Sequence, residues 1–253
     1  MHPPRIGRRI ERHAVIGSTN DRARELLEGL DGDGAVVVAD EQSAGRGRRG
    51  RTWLSPPGRN LLVSVGLRPR LDPVAAWRLG LATALAVADA CEVFAPVALK
   101  WPNDVVGAAD GRKLGGLLIE TTAEGAALRA AVLGIGINVN WRRSEMPVDI
   151  AEGATSLADL AGADVDRGML FDALLQALGR EVTAVEAGAS PLDRYRARCA
   201  TIGTVVDAAT GGGTITGLAV DLDETGALIV EAAGERHVVT GGEVLRVRPA
   251  VPA

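Results

Sequence analysis

A glycine-spaced cluster of arginines is the part of this sequence whose residue types best suit chemistry. Residues 42–51 read QSAGRGRRGR, so Arg46, Arg48, Arg49 and Arg51 share one loop with no acidic residue between them. Guanidinium groups held this close repel one another, and a polyanion would relieve that repulsion. Glycines let backbone N–H groups turn toward such an anion. The loop alone therefore indicates either an anion site or a solvated basic loop.

Lysine is almost absent from the chain, which makes the lysines that remain informative. Of the 28 basic residues, only Lys100 and Lys113 are lysines, and every other one is arginine. A lysine kept in so arginine-rich a chain favours a site that needs a compact ammonium group, although drift explains a single lysine equally well. Both lysines lie in segments that hold other candidate residues.

Three further segments place polar residues or glycines at predicted strands. Residues 100–105 (KWPNDV) end a strand with Asn103 and Asp104, a common position for ligand-binding groups, although such a turn is also ordinary structure. Residues 112–120 (RKLGGLLIE) and 134–140 (GIGINVN) put glycine inside predicted strands. Because glycine weakens a strand, it indicates either a bulge or the close approach of a ligand or another backbone.

Strands and helices that must position these segments are predicted as far as residue 200. Apolar runs predict strands over residues 13–16, 34–40, 60–67, 97–100, 114–120 and 128–139. One helix is predicted from a cap at Ser18 or Thr19 to residue 27, and a second one begins at Pro73. Three more are predicted over residues 155–160, 167–185 and 191–199. Beyond them, β-rich runs separated by glycine turns predict a small antiparallel barrel, over residues 204–208, 214–221, 227–231, 236–239 and 244–247.

Composition narrows the class of protein. The 253 residues carry a formal charge of -4, which argues against broad binding to nucleic acid or anionic membranes. Cys91 and Cys199 lie far apart and suggest neither a disulfide framework nor a zinc site. Neither a signal peptide nor an apolar run of membrane-spanning length is predicted. We therefore expect a cytoplasmic protein that binds neither DNA nor membrane.

Five motifs occur in an order that resembles the catalytic core of the biotin–protein ligases. They are STN at residues 18–20, QSAGRGRRGRTW at 42–53, KWPNDV at 100–105, KLGGLLIE at 113–120 and GIGINVN at 134–140. Each motif alone is modest, but the ordered set is highly specific and extends over residues 18–140.

The resemblance implies an α+β fold. A mixed β-sheet flanked by helices, as in class II aminoacyl-tRNA synthetases and the biotin–lipoate ligase catalytic core, would precede a small C-terminal SH3-like β-barrel. The chain would divide into a catalytic domain, residues 1–200, and the barrel, residues 201–253.

The resemblance also implies an ATP-dependent ligase that acts in two steps. Biotin and ATP form biotinyl-5'-AMP with release of pyrophosphate, and biotin then passes to a lysine of a biotin carboxyl carrier domain of an acetyl-CoA, acyl-CoA or pyruvate carboxylase. Mg²⁺ is expected with ATP, without assigned protein ligands. The expected assembly is a monomer or a weak homodimer.

Residues take their expected roles from their positions in the motifs. The biotin-binding set is Ser18, Thr19, Asn20, Gln42, Gly45, Arg46, Lys113, Gly115, Gly116 and Gly134. The ATP-binding set is Arg48, Arg49, Arg51, Trp53, Asn103, Lys113 and Asn138.

The expected catalytic residues are Lys113, Arg48 and Asp104. Lys113 would neutralise charge while the biotin carboxylate attacks the α-phosphorus, and Arg48 would bind phosphates. Asp104 would orient or deprotonate the acceptor lysine, or serve structure alone. Trp53 would stack on adenine, and the loop over residues 46–53 would order over the ligand.

Three alternative functions can be compared with biotin ligation. Lipoate or octanoate ligases and transferases share the fold, but their arginine pair leading into a triple-glycine run and a His-Asp is missing here. A DNA-binding regulator would need an N-terminal winged helix, and only about twenty residues precede the STN motif, too few for such a domain. A protein-interaction module on an inactive core would lack the candidate catalytic residues, which are all present.

Overall fold

The computed structural model describes residues 5–210, 213–240 and 243–249, and two β-sheets organise them. The strands of the larger sheet are β1 (Ile10–Ile16), β2 (Val36–Gln42), β3 (Leu61–Leu67), β4 (Val97–Lys100), β5 (Asp104–Gly107), β6 (Lys113–Glu124) and β7 (Ala127–Ile137). They lie in the order β1-β2-β3-β7-β6-β5-β4. The β1–β2 pair is parallel and the other neighbours are antiparallel, so the sheet is mixed.

Helices cover both faces of this sheet. They are α1 (Thr19–Leu26), α2 (Trp77–Glu92), α3 (Val148–Ala151), α4 (Leu157–Ala161), α5 (Arg167–Glu186) and α6 (Leu192–Arg198). Alternate residues of β2 show the two faces, because Val36 and Val38 join the large core whereas Val37 packs with Ala23 and Leu26 of α1. The large core holds α2 and α5, where each buried leucine stabilises the fold by about 2 kcal/mol.

Side-chain caps fix the starts of two helices. Asp166 accepts hydrogen bonds from the N–H groups of Gly168 and Met169, at 2.7 and 3.1 Å, and so begins α5. Ser156 accepts from the N–H of Asp159 at 3.2 Å and begins α4. Such bonds satisfy donors that the helix itself cannot pair.

A second, five-stranded antiparallel sheet follows α6. It consists of β8 (Thr204–Thr210), β9 (Gly213–Leu222), β10 (Leu228–Ala232), β11 (Glu235–Val239) and β12 (Glu243–Pro249), in the order β11-β10-β9-β8-β12. Inward-facing residues such as Val206, Leu222 and Val230 are fully buried and belong to the large core. The predicted architecture, a mixed sheet with flanking helices and a small C-terminal β-domain, is confirmed.

The structure departs from the predicted elements at three places. Residues 103 and 104 do not simply end a strand, because β4 turns back into β5, with Lys100 paired to Asp104 across a hairpin that contains a cis Trp101–Pro102 bond. The helix α3 was not predicted. A 3-10 turn, Pro73–Ala75, precedes α2 where the sequence predicted one helix.

Within the described part of the chain, one helical stretch, Pro73–Glu92, is long and apolar enough to span a membrane. The prediction that no apolar run reaches that length is therefore wrong. Most of the stretch is buried inside the protein, as in the core helix of a soluble protein.

Candidate active site

A cavity of about 400 Å³ lies where α1, the loop after β2, and strands β6 and β7 meet. Four basic residues line it: Arg46, Arg48, Arg51 and Lys113. Among the lining residues that the structure describes, Asp149 is the one acid. The other predicted site residues along the wall are Ser18, Thr19, Asn20, Gln42, Trp53, Asn103, Gly116, Gly134 and Asn138. The cavity therefore combines a strongly basic wall with a buried polar end.

The N-terminus of α1 forms that polar end. Ser18 precedes the helix, but its side chain makes no capping hydrogen bond. Gln42 does so instead, since its Oε1 accepts from the Thr19 N–H at 2.7 Å and from the Thr19 hydroxyl at 2.9 Å. Ser64 Oγ, on β3, lies 2.8 Å from Thr19 Oγ1 and 2.6 Å from Asn20 Oδ1. These bonds satisfy polar groups that are costly to bury unpaired.

An acid on α1 neutralises the first arginine of the loop. Asp21 accepts from both terminal nitrogens of Arg46 at 2.7 Å, and from Arg24 at 2.7 Å. The bonds from Arg46 above all hold the pKa of the Asp21 carboxyl well below its usual range, against the opposing effect of burial. Arg24 also reaches Glu120 at 2.8 Å, and Glu120 accepts from Asn20 at 2.7 Å. The sequence suggested that this cluster needs a bound anion, but Arg46 already has a protein counterion.

Glycines on β6 and β7 admit two side chains to the cavity. Gly116 and Gly136 lie opposite each other across the two strands. A Cβ on Gly136 would lie 2.7 Å from Trp53 Cε2, and one on Gly116 would lie 3.1 Å from Trp53 Cζ3. A Cβ on Gly134 would lie 2.2 Å from Asn20 Oδ1. The sequence predicted a ligand or another backbone at these positions, and the structure has the side chains of Trp53 and Asn20 there.

Lys113 is held at the mouth of β6 by its backbone and by an acid. Its N–H donates to Gly153 O at 2.8 Å, and its carbonyl accepts from Thr155 N at 2.9 Å. Its Nζ lies 2.7 Å from Asp104 Oδ1, as an ion pair whose angles fall short of a directed hydrogen bond. The same ammonium lies 5.6 Å from the centre of the Trp53 ring, within cation–π distance.

Two asparagines of the motifs have protein partners. Asn103 Oδ1 accepts from Arg48 Nη1 at 3.1 Å, and its amide donates to a backbone carbonyl of β6 at 2.9 Å. Asn138 donates to Thr155 O at 3.1 Å and accepts from Asn60 at 3.3 Å. Both therefore shape the wall of the cavity through bonds within the protein.

Four residues assigned to the site do not line the cavity. Gly45 shapes the loop, because a Cβ there would lie 2.7 Å from the carbonyl oxygen of Trp53. Gly115 lets two strands approach, because its Cβ would lie 2.9 Å from a backbone oxygen of β7. Arg49 lies in the 3-10 turn Arg48–Gly50, with φ of 56°. Asp104 forms an ion pair with Lys113 and is not a lining residue of the cavity.

A stretch without a recognised motif forms the remaining wall. Trp141, Asp149, Ile150 and Ala154 line the cavity, and Trp141 packs with Met146 in a small apolar cluster. No motif marks residues 144–152. The apolar residues that follow the GIGINVN motif are the signal in the sequence that could have indicated this wall.

The C-terminal sheet touches the KWPNDV segment directly. The indole N–H of Trp101 donates to Gly226 O at 3.0 Å, in the turn between β9 and β10. Its backbone N–H donates to Thr201 Oγ1 at 3.0 Å. Two residues after Trp101 stands Asn103, which lines the cavity. The small domain is therefore connected to one wall of the site.

Two family models match the chain. The biotin/lipoate A/B protein ligase family matches residues 13–138, and the biotin protein ligase C-terminal domain matches residues 201–247. The biotin--[acetyl-CoA-carboxylase] ligase of Mycobacterium tuberculosis is 38% identical over 95% of this chain and 90% of its own length. The ligase of that name from Paracoccus denitrificans is 37% identical, over 91% of this chain and 98% of its own.

Solved structures of biotin protein ligases are also similar to this chain. The biotin protein ligase of Aquifex aeolicus, in complex with biotin and ATP, superposes with a TM-score of 0.77 at 30% identity, over 96% of this chain and 100% of its own. The Leishmania major enzyme in complex with biotinyl-5-AMP has a TM-score of 0.60 at 26% identity, over 92% and 99% of the two chains.

Proposed function

The chain belongs to the biotin/lipoate A/B protein ligase family as an enzyme that attaches biotin to a carrier protein with ATP, and from this premise we propose how its residues divide the work. The lipoate or octanoate alternative is not favoured, because these relatives are named for biotin. One observation carries the proposal: Lys113 and three arginines line the same cavity as a buried polar pocket.

The polar end of the cavity binds biotin. Short polar groups from Ser18, Thr19, Asn20 and Gln42 suit a ureido ring, which needs a few hydrogen-bonding partners in an enclosed site. Arg46 lies at the start of the basic wall, where the acid end of the ligand would reach. Gly116 and Gly134 admit the side chains of Trp53 and Asn20 to this end of the cavity, and Gly45 and Gly115 support it through the backbone.

The basic wall binds ATP. Arg48 and Arg51 line the cavity and would hold phosphates, while Arg49, in the intervening turn, adds charge from outside the wall. Trp53 supplies an aromatic face for adenine, and Asn103 and Asn138 keep the wall in shape. We also propose that the loop over residues 46–53 closes over the bound ligand.

Lys113 supplies the compact charge that the first step needs. A biotin carboxylate is ionised at neutral pH, so it attacks the α-phosphorus without a general base, and pyrophosphate leaves. The approach of two anions requires neutralisation, which a fixed ammonium provides. In the second step the neutral amine of the carrier lysine attacks the acyl carbon, AMP leaves, the amine loses a proton to solvent, and Lys113 stabilises the carbonyl oxygen. The 2.7 Å contact supports a positioning role for Asp104 on Lys113 rather than one on the acceptor lysine.

We propose that Mg²⁺ binds together with ATP. Among the described residues no group of three His, Cys, Asp or Glu side chains could hold a metal ion. Proteins often bind Mg²⁺ through one or two carboxylates together with substrate phosphates, and Asp149 lines the cavity. The residues therefore fit a metal that arrives on the nucleotide.

We also propose domain bounds, an acceptor protein, a cellular location and an oligomeric state for the enzyme. A catalytic domain of residues 1–200 and a barrel of residues 201–253 agree with the C-terminal family match, which begins at residue 201. The relatives' names support the biotin carrier domain of an acetyl-CoA carboxylase as partner, with other acyl-CoA or pyruvate carboxylases as further acceptors. We propose a cytoplasmic monomer or weak homodimer that binds neither DNA nor membrane.

Mass spectrometry of the acceptor tests the function. The protein is incubated with a biotin carrier domain, biotin and MgATP, in parallel with reactions that contain lipoate or octanoate in place of biotin. We expect one biotinyl group on a single carrier lysine, and biotin-dependent exchange of pyrophosphate into ATP. Acylation from lipoate or octanoate but not from biotin would contradict the assignment.

A further inference from the structure

Asp21 belongs to a chain of polar contacts that begins at the end of β2 and ends in the loop that follows it. From Gln42 the contacts run through Thr19, Ser64 and Asn20, all of them buried. From Asn20 they continue outward through Glu120, Arg24 and Asp21 to Arg46. The first residue, Gln42, ends β2, and the last, Arg46, stands four positions later in the loop that borders the cavity.

The contact between Asp21 and Arg46 fixes the guanidinium in a plane. Two parallel N–H···O bonds of 2.7 Å join both terminal nitrogens of Arg46 to both oxygens of Asp21. A carboxylate and a guanidinium paired in this way hold a defined orientation, unlike two charges at a single contact. Two of the five N–H groups of Arg46 are used, so others remain for a ligand in the cavity.

We propose that Asp21 is a positioning residue of the biotin site, which presents Arg46 to the acid end of biotin. This inference rests on the proposed role of Arg46. Nothing in the motifs marks Asp21, since the STN motif ends one residue before it. Arg24 and Glu120 complete the support, because Arg24 shares an oxygen of Asp21 and ties it to β6.

The position of Asp21 predicts which kinetic constant changes on substitution. Among the described residues, the Asp21 carboxylate accepts hydrogen bonds from Arg46 and Arg24, so its loss affects the binding of biotin rather than the chemistry or the binding of ATP. The pair is partly exposed, with 38% and 43% of the two side chains accessible, so the effect is moderate.

Steady-state kinetics of Asp21→Asn test the proposal. The KM for biotin rises about fivefold, in line with the loss of an exposed ion pair of good geometry, while kcat and the KM for ATP change less than about twofold. Asp21→Glu restores part of the affinity. Glu25→Gln is the matched control, because Glu25 lies on the same helix and pairs with Arg22 away from the cavity. Its constants match those of the unsubstituted protein.

A double-mutant cycle separates this inference from the proposed function. In an Arg46→Ala background, Asp21→Asn causes no further rise in the KM for biotin. An equal rise in that background, or an unchanged KM in the single variant, would overturn the role of Asp21. An unchanged KM in Arg46→Ala alone would remove the role of Arg46 and the inference with it, while carrier biotinylation still reports on the function. Thermal melting of each variant shows that the fold is retained.

Discussion

At the scale of single residues, glycines decide which side chains reach the cavity. Asn20 and Trp53 both occupy space that a Cβ on β6 or β7 would fill. Acidic residues position two of the basic side chains, because Asp21 forms an ion pair with Arg46 and Asp104 forms one with Lys113. Two of the four basic residues of the wall are thus positioned by named acids, which a count of charges in the loop does not reveal.

Gly134→Ala is expected to weaken biotin binding. The new methyl group meets Asn20 Oδ1 at 2.2 Å, and Asn20 is fixed by Ser64 and Glu120. Overpacking of this kind costs about 1–3 kcal/mol of folding free energy. Because it displaces Asn20 from the wall of the biotin site, about one hydrogen bond to the ligand is lost, and the affinity for biotin falls roughly tenfold. Isothermal titration calorimetry measures this change. Gly179→Ala is the control, because a Cβ at that helical position meets nothing within 4 Å; equal affinities for the two variants would contradict the expectation.

Lys113→Ala is expected to lose at least about a hundredfold in the rate of biotinyl-5'-AMP formation, because a preorganised charge is removed from the reacting centre. Its melting temperature stays close to that of the unsubstituted protein, since the side chain is partly exposed. Single-turnover measurement of the adenylate gives the rate. Lys100→Ala, at the only other lysine, retains activity. A Lys113→Ala rate within a few-fold of normal would exclude the residue from the mechanism.

At the scale of elements, the β4–β5 hairpin joins the C-terminal sheet to the cavity. Its turn carries Trp101, which hydrogen-bonds to Thr201 and Gly226, and Asn103, which bonds to Arg48. The small sheet therefore supports one wall of the site through a few directed contacts.

Trp101→Phe tests this connection, because it removes the indole N–H and keeps an aromatic ring. The carbonyl of Gly226 loses its partner, and the free energy of unfolding falls by about 1 kcal/mol or somewhat more. Urea unfolding measures this loss. We also expect a raised KM for ATP and an unchanged KM for biotin, since Asn103 borders the basic wall. Unchanged stability would show that the bond contributes nothing.

At the scale of the whole molecule, a single large core connects both sheets. Residues of β3, α2, α5 and the C-terminal strands belong to one contiguous cluster of buried side chains. Both cysteines are buried in this cluster. They consequently report on the opening of the whole fold rather than on the site.

Thiol alkylation is expected to follow global unfolding. Burial raises the pKa of the Cys91 thiol to about 12 and also raises the pKa of Cys199. Because only the thiolate reacts, iodoacetamide at pH 8 leaves both cysteines unmodified in the native protein and modifies both in urea. Mass spectrometry counts the alkyl groups. Rapid modification of the native protein would show that the region around α2 opens locally.

The sequence by itself determined most of the strands and helices, although not β5 or α3, together with the family and the location of the basic loop. These features depend on local periodicity, turn residues and motif order, which neighbouring residues encode. Tertiary structure alone decided that Asp21 pairs with Arg46, that Asp104 pairs with Lys113, and that residues 141–154 complete the cavity. Each of these contacts joins segments that are distant in the chain, and the register of strands and the packing of α1 bring them together. Neither periodicity nor composition carries that information.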